Sequence, residues 1–199
     1  MKESVIYVHG KGGSAEEADH YKPLLPNCEV IGFDYRSQTP WEAKEEFPTF
    51  FAQQRQHCDR LVLIANSIGA FFSMSALDET LVDSAFFISP VVDMENLIGN
   101  MMQWANVTEQ ELAEKQEIAT EFGETLSWDY LCYVRAHPIS WNVPTQILYG
   151  EHYNLTSMET VSAFAQRHNA KLTVMPGGEH WFHTEEQMQF LDDWIRSIL

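Results

Sequence analysis

Apolar residues fall along this chain in two rhythms. Dense short runs alternate with longer stretches in which apolar positions recur every third or fourth residue. The runs are VIYVHG (5–10), EVIGFDY (29–35), LVLIA (61–65), AFFIS (85–89), TQILYG (145–150) and KLTVM (171–175). A strand with one wet face alternates apolar and polar residues. Runs this unbroken predict strands buried on both faces, and therefore a mostly parallel sheet of about six strands. Between the runs lie helix starts. Ser14 precedes Glu17, Thr39 precedes Pro40 and Glu42, Thr108 precedes Glu111, and Thr184 precedes Gln187. At this spacing a hydroxyl and a carboxylate or amide satisfy each other's unpaired backbone N–H groups. The stretches behind them carry helical periodicity: Phe47, Phe50 and Phe51; Met158, Val161 and Phe164; Met188, Leu191, Trp194, Ile195 and Ile198. Strand and helix in alternation predict an α/β fold, a doubly wound sheet with helices on both faces.

One interval breaks the rhythm. Residues 90–144, between AFFIS and TQILYG, are far more than one crossover needs. They hold three stretches with helical pattern, 93–105, 108–121 and 127–136. The expected organisation is a single domain over 1–199 with a short helical cap inserted at about 91–142. Met94, Met101, Met102 and Trp104 at its start would line an acyl pocket or fill the cap's own core.

The third run ends in Ala65-Asn66-Ser67-Ile68-Gly69, and IGAFFSMSAL (68–77) reads as a helix. Ser67 is therefore placed on a sharp strand-to-helix turn. Such a turn strains the backbone of its central residue and brings strand and helix close together. Bulk two residues before or after would collide, and both positions, Ala65 and Gly69, are small. The hydroxyl would stand exposed at a helix N-terminus.

This turn resembles the G-x-S-x-G elbow of the α/β-hydrolase family, with alanine for the first glycine. The resemblance covers most of the chain and begins at what would be the family's third strand. His9-Gly10-Lys11-Gly12-Gly13 resembles the loop that supplies the oxyanion hole, which implies the backbone N–H groups of Lys11 and Ile68 as donors. FDYR (33–36) is similar to the segment after the next strand. Gly177-Gly178-Glu179-His180-Trp181-Phe182 resembles the loop that presents the catalytic histidine, in the family's order of serine, acid, histidine. The acid departs from the pattern. The loop where aspartate is expected reads Gly150-Glu151-His152-Tyr153-Asn154-Leu155, with Tyr153 in its place. Three substitutes stand open: Asp93 past the preceding strand, then Glu151, then Asn154, with Asp93 favoured. A fourth possibility is a site with no acid.

The implied activity is that of a serine hydrolase cleaving a small carboxylic ester or thioester through an acyl-enzyme, with Ser67, His180 and Asp93 as catalytic residues. The alternative is a binding protein that keeps the fold while its triad has decayed. No cofactor is implied. His9 is expected to pack beneath the oxyanion loop. Glu179, His180, His183 and Glu185 crowd together but lack the spacing of a metal site.

Composition narrows the setting. The chain has 199 residues, of which 45% are apolar, enough for one well-buried core. Its formal net charge is −17, which argues against nucleic acid and anionic membranes as partners and leaves a small-molecule substrate. Nothing in the chain speaks to an oligomer. No apolar run approaches the ~20 residues of a membrane span. MKESVIYVHG enters a strand at once, without a signal peptide's apolar region, and the three cysteines are scattered. Together these lead to the expectation of a cytoplasmic protein with reduced thiols.

Overall fold

A computed structural model describes residues 2–198. In chain order the elements are β1 (Glu3–Val8), a 3₁₀ turn (Ala15–His20), β2 (Glu29–Gly32), α1 (Pro40–Arg55), β3 (Arg60–Asn66), α2 (Ile68–Ala76) and β4 (Ser84–Ile88). There follow α3 (Met94–Trp104), α4 (Glu109–Lys115), β5 (Glu117–Ala119), β6 (Thr125–Ser127) and α5 (Trp128–Ala136). The chain closes with β7 (Thr145–Gly150), α6 (Met158–Arg167), β8 (Lys171–Met175) and α7 (Glu185–Ile198). The chain divides into two compact units, residues 1–92 with 140–199, and residues 93–139.

The first unit is built on one sheet in the order β2-β1-β3-β4-β7-β8, and every pairing in it is parallel. The six apolar runs are its six strands. Leu61 through Ala65 in β3 are fully buried, as expected of a central strand covered on both faces. Alternate side chains serve opposite layers. Val5, Tyr7, Val62, Ile64, Phe86 and Ile88 form one core with Ala18 and Tyr21 of the 3₁₀ turn and with Leu191, Trp194 and Ile195 of α7. On the other side Phe33, Tyr35, Phe47, Phe51 and Phe72 make a cluster of tilted and edge-on rings between the chain after β2 and helices α1 and α2. The β2 strand is shorter than the 29–35 run predicts. It ends at Gly32, after which Phe33 and Tyr35 turn in to join those rings.

The chain first winds outward from β1 to β2, then crosses to β3 on the other side of β1. Neighbouring loops diverge there, leaving a crevice beyond the carboxyl ends of β1 and β3, the usual ligand position of such sheets. The expected caps are in place: Thr39 accepts from Glu42 N, Thr108 from Glu111 N and Thr184 from Gln187 N.

The second unit departs from three plain helices. The middle helix stops at Lys115, because Gln116 turns to φ 67°. The stretch predicted to continue it becomes an antiparallel hairpin, Glu117–Ala119 against Thr125–Ser127, closed around Gly123 at φ 87°. Arg135 of α5 joins Glu95 of α3 (2.7 Å) and Glu109 of α4 (2.6 Å). Met94 and Met102 are buried, whereas Trp104 stands out on the surface edge-on to Phe122. Among the described residues no helix is long and apolar enough to cross a membrane.

Candidate active site

Ser67 sits where β3 gives way to α2, with φ 50° and ψ −119°. A non-glycine residue in that region is strained and persists only when its surroundings hold it. They do so from both sides. The Ser67 N–H donates to Ile88 O (3.0 Å), and its carbonyl accepts from Val91 N (3.1 Å). A Cβ at Gly69 would lie 2.4 Å from the His9 carbonyl oxygen and 2.9 Å from that of Val8, so only glycine fits there. A Cβ at Gly10 would lie 3.3 Å from that of Ser67, which brings the β1 loop alongside the serine. Within that loop the Gly13 N–H donates to Gly10 O (3.1 Å), closing a turn around Lys11 and Gly12. His9 packs under it, stacked on Tyr35 at 4.3 Å. Ile68 opens α2, and the first amides of a helix have no partner within it.

The other half of the site is made by two loops locked together. After β8 the chain turns through Gly177 at φ 68°. The Glu151 carboxylate accepts from Gly177 N (2.8 Å), and His152 N–H donates to Gly178 O (2.7 Å). A Cβ at Gly150 would meet the carbonyl oxygens of Glu179 at 2.4 Å and Gly178 at 2.6 Å. This bracing delivers His180 to the serine: Nε2 lies 3.3 Å from Ser67 Oγ. Burial lowers the imidazole pKa below its ordinary value.

Behind His180 lies Tyr153. Its ring stacks on the imidazole, with centroids 4.5 Å apart and planes 15° from parallel. Its hydroxyl is within 3.3 Å of Thr156 Oγ1, and burial pushes that phenol's pKa up. Nδ1 of His180 is buried and has no hydrogen-bond partner among the described residues. None of the three expected acids fills that role. The Asp93 carboxylate caps α3, accepting from Asn96 N at 2.9 Å. Glu151 is committed to Gly177, and Asn154 is exposed. In the structure the expected acid Asp93 serves as a helix cap, a role that an Asp at the start of a helix fills well.

Two features escaped the sequence. Tyr7 donates to Glu17 Oε2 at 2.5 Å, and Asn66 Oδ1 is buried without a partner among the described residues. Tyr7, Glu17, Asn66, Ile88, His180 and Trp181 line one cleft of about 320 Å³. Only the position of Asn66 beside the elbow serine could have pointed to it. Glu179 pairs with His183 (3.5 Å), and among the described residues no three His, Cys, Asp or Glu side chains converge on a metal position.

No family model matches the chain. A protein of Mycoplasma genitalium provisionally named esterase/lipase 3 is 26% identical over an alignment of 103 positions, and the match covers 45% of this chain and 37% of that one. The match therefore spans little more than a third of that relative's length. Among solved structures, Est1E from Butyrivibrio proteoclasticus superposes with a TM-score of 0.75 at 16% identity, over 98% of this chain and 86% of that one. Alpha/beta hydrolase domain-containing protein 10 from mouse gives 0.74 at 16% identity, over 98% and 88%. With the sheet order, the strained turn after β3 and the histidine loop after β8, these likenesses show that the chain has the α/β-hydrolase fold.

Proposed function

We propose that the protein is a serine hydrolase acting on a small carboxylic ester or thioester. The observation that carries this reading is the contact between Ser67 Oγ and His180 Nε2, 3.3 Å, at a serine held in strained backbone geometry. In this reading Oγ attacks the substrate carbonyl carbon as Nε2 takes its proton. The backbone N–H groups of Lys11 and Ile68 receive the oxyanion. The tetrahedral intermediate collapses, the C–O or C–S bond breaks, and the leaving group takes the proton from Nε2. Water then repeats the sequence on the acyl-enzyme and frees the acid. The names of the esterases to which the chain is similar support the choice of ester chemistry.

The unpartnered Nδ1 and the tyrosine behind it favour a second reading, a protein that keeps the fold with little or no turnover. Labelling with a fluorophosphonate probe separates the two. Rapid labelling of the wild type that is lost in Ser67→Ala supports the hydrolase; a wild type that labels no faster than Ser67→Ala supports the second reading.

A further inference from the structure

The loop after β7 is held by several hydrogen bonds yet presents no carboxylate to His180. Tyr149 lies beneath it, with its hydroxyl 3.2 Å from the Tyr153 carbonyl oxygen and 2.9 Å from that of Thr156. The Tyr153 N–H donates to Gly150 O at 2.9 Å, which closes the turn. The side chain that this frame presents to His180 is an aromatic face.

We propose that Tyr153 stands in for the triad acid as a positioning residue, which fixes the His180 ring by stacking but offers Nδ1 no acceptor, so that the resting imidazole carries its proton on Nε2. The inference rests on Ser67 and His180 being nucleophile and base. A triad acid does two things: it orients the ring, and it accepts the Nδ1 hydrogen, so that Nε2 is left bare to take the serine's proton. The stack supplies the first alone. At 15° between planes the N–H bonds of the imidazole run parallel to the phenol ring, so its π face cannot accept them. The Tyr153 hydroxyl is turned to Thr156. The other titratable groups around the site are Tyr7, Glu17, His20 and Tyr21 across the cleft, Glu179 and His183 on its own loop, and Tyr149, Glu151 and His152 on the facing loop and strand, and none is bonded to Nδ1.

The tautomer follows. With the proton on Nε2, that group points at Ser67 Oγ, an acceptor, and Nδ1 is a buried acceptor without a donor. With the proton on Nδ1, a buried N–H has no acceptor, and unpaired buried N–H groups are the rarer and costlier case. The resting form is therefore the one that cannot accept the serine's proton. Reaching the competent form costs a rate factor of roughly 10- to 100-fold, the cost of one unmade buried hydrogen bond.

The test uses protein labelled with ¹⁵N at histidine, with the His180 signals assigned by their loss in His180→Asn. At pH 8 the wild type should show Nε2 protonated and Nδ1 bare; Nδ1 protonated in the wild type overturns the proposal. Tyr153→Asp should reverse the two signals and raise kcat on p-nitrophenyl acetate about 10- to 100-fold. It should also move the acidic limb of the pH profile upward, because a carboxylate beside the imidazolium stabilises it. An unchanged tautomer in a folded Tyr153→Asp overturns the proposal. Tyr153→Phe should leave the tautomer as in the wild type; a proton moved to Nδ1 would give the role to the hydroxyl and overturn it too. If Tyr153→Asp fails to fold, the wild-type spectrum and Tyr153→Phe decide. The hydrolase reading fails separately, by activity that survives in Ser67→Ala, and the spectra do not depend on turnover.

Discussion

The turn after β3 and the loop after β7 open at the same end of one parallel sheet, and both are braced backbone against backbone. Gly69 lies against the carbonyls of Val8 and His9, and Gly150 against those of Gly178 and Glu179, too closely for any Cβ. What the bracing presents differs. The first turn pushes Ser67 into a strained conformation with Oγ toward His180; the second, equally tight, shows His180 the face of Tyr153. The frame of a reactive loop and the side chain it carries are thus independent. Glycines keep the frame, and one position decides which side chain it presents.

The sharpest way to break this comparison is at the serine. Ser67→Ala should cut hydrolysis of p-nitrophenyl acetate by ~10³-fold or more while the far-ultraviolet circular dichroism stays that of the wild type. Undiminished turnover would remove the nucleophile from the first turn and leave the two loops without a functional contrast. The frames come next. Gly69→Val and Gly150→Val should each cost about 3 kcal/mol or more in urea unfolding, since a backbone oxygen occupies the space in both cases. A marked cost at one glycine and none at the other would show that the bracing is not shared.

A pH series sharpens the histidine's half. Burial lowers its pKa in the folded chain, so the unfolded chain binds that proton first. The contribution to stability is complete above about 6.5, the ordinary histidine value, and is lost as pH falls from there toward the folded value. Wild-type protein should therefore lose more stability than His180→Asn between about pH 6.5 and 5 in urea titrations. The acidic limb of the rate profile should lie below about 6.5 for the same reason. The smallest effect belongs to Asp93. Asp93→Asn should change turnover by less than about twofold, because asparagine caps a helix as well as aspartate does. A loss of several orders of magnitude would return the acid's role to that residue.

Much of this was legible in the chain. Runs such as LVLIA name buried strands because covering both faces leaves no polar alternation, and Thr39, Thr108 and Thr184 announce helix starts through local geometry alone. The elbow could be read because its constraint is steric and local: Gly69 has to be small. The hairpin at 117–127 was hidden. Glu and Ala suit a helix, and the break depends on one residue, Gln116, at positive φ. The partner of His180 was hidden more deeply. Tyr153 and His180 are far apart in sequence, and no spacing rule says that two rings will stack rather than bond. Asp93 is ambiguous for a related reason: an acid just before a helix has the same local signature whether it caps that helix or reaches across to a histidine.

The loop that carries Tyr153 is held by Tyr149, by Glu151 on Gly177 and by the His152–Gly178 bond, and none of these needs the side chain at 153. In the genetic code, tyrosine and aspartate codons differ only in the first base. An acid at this position is therefore a single nucleotide change away, with its scaffold already standing. Under the proposed hydrolase reading, codon 153 is the place where one base separates a stacked histidine from a hydrogen-bonded one.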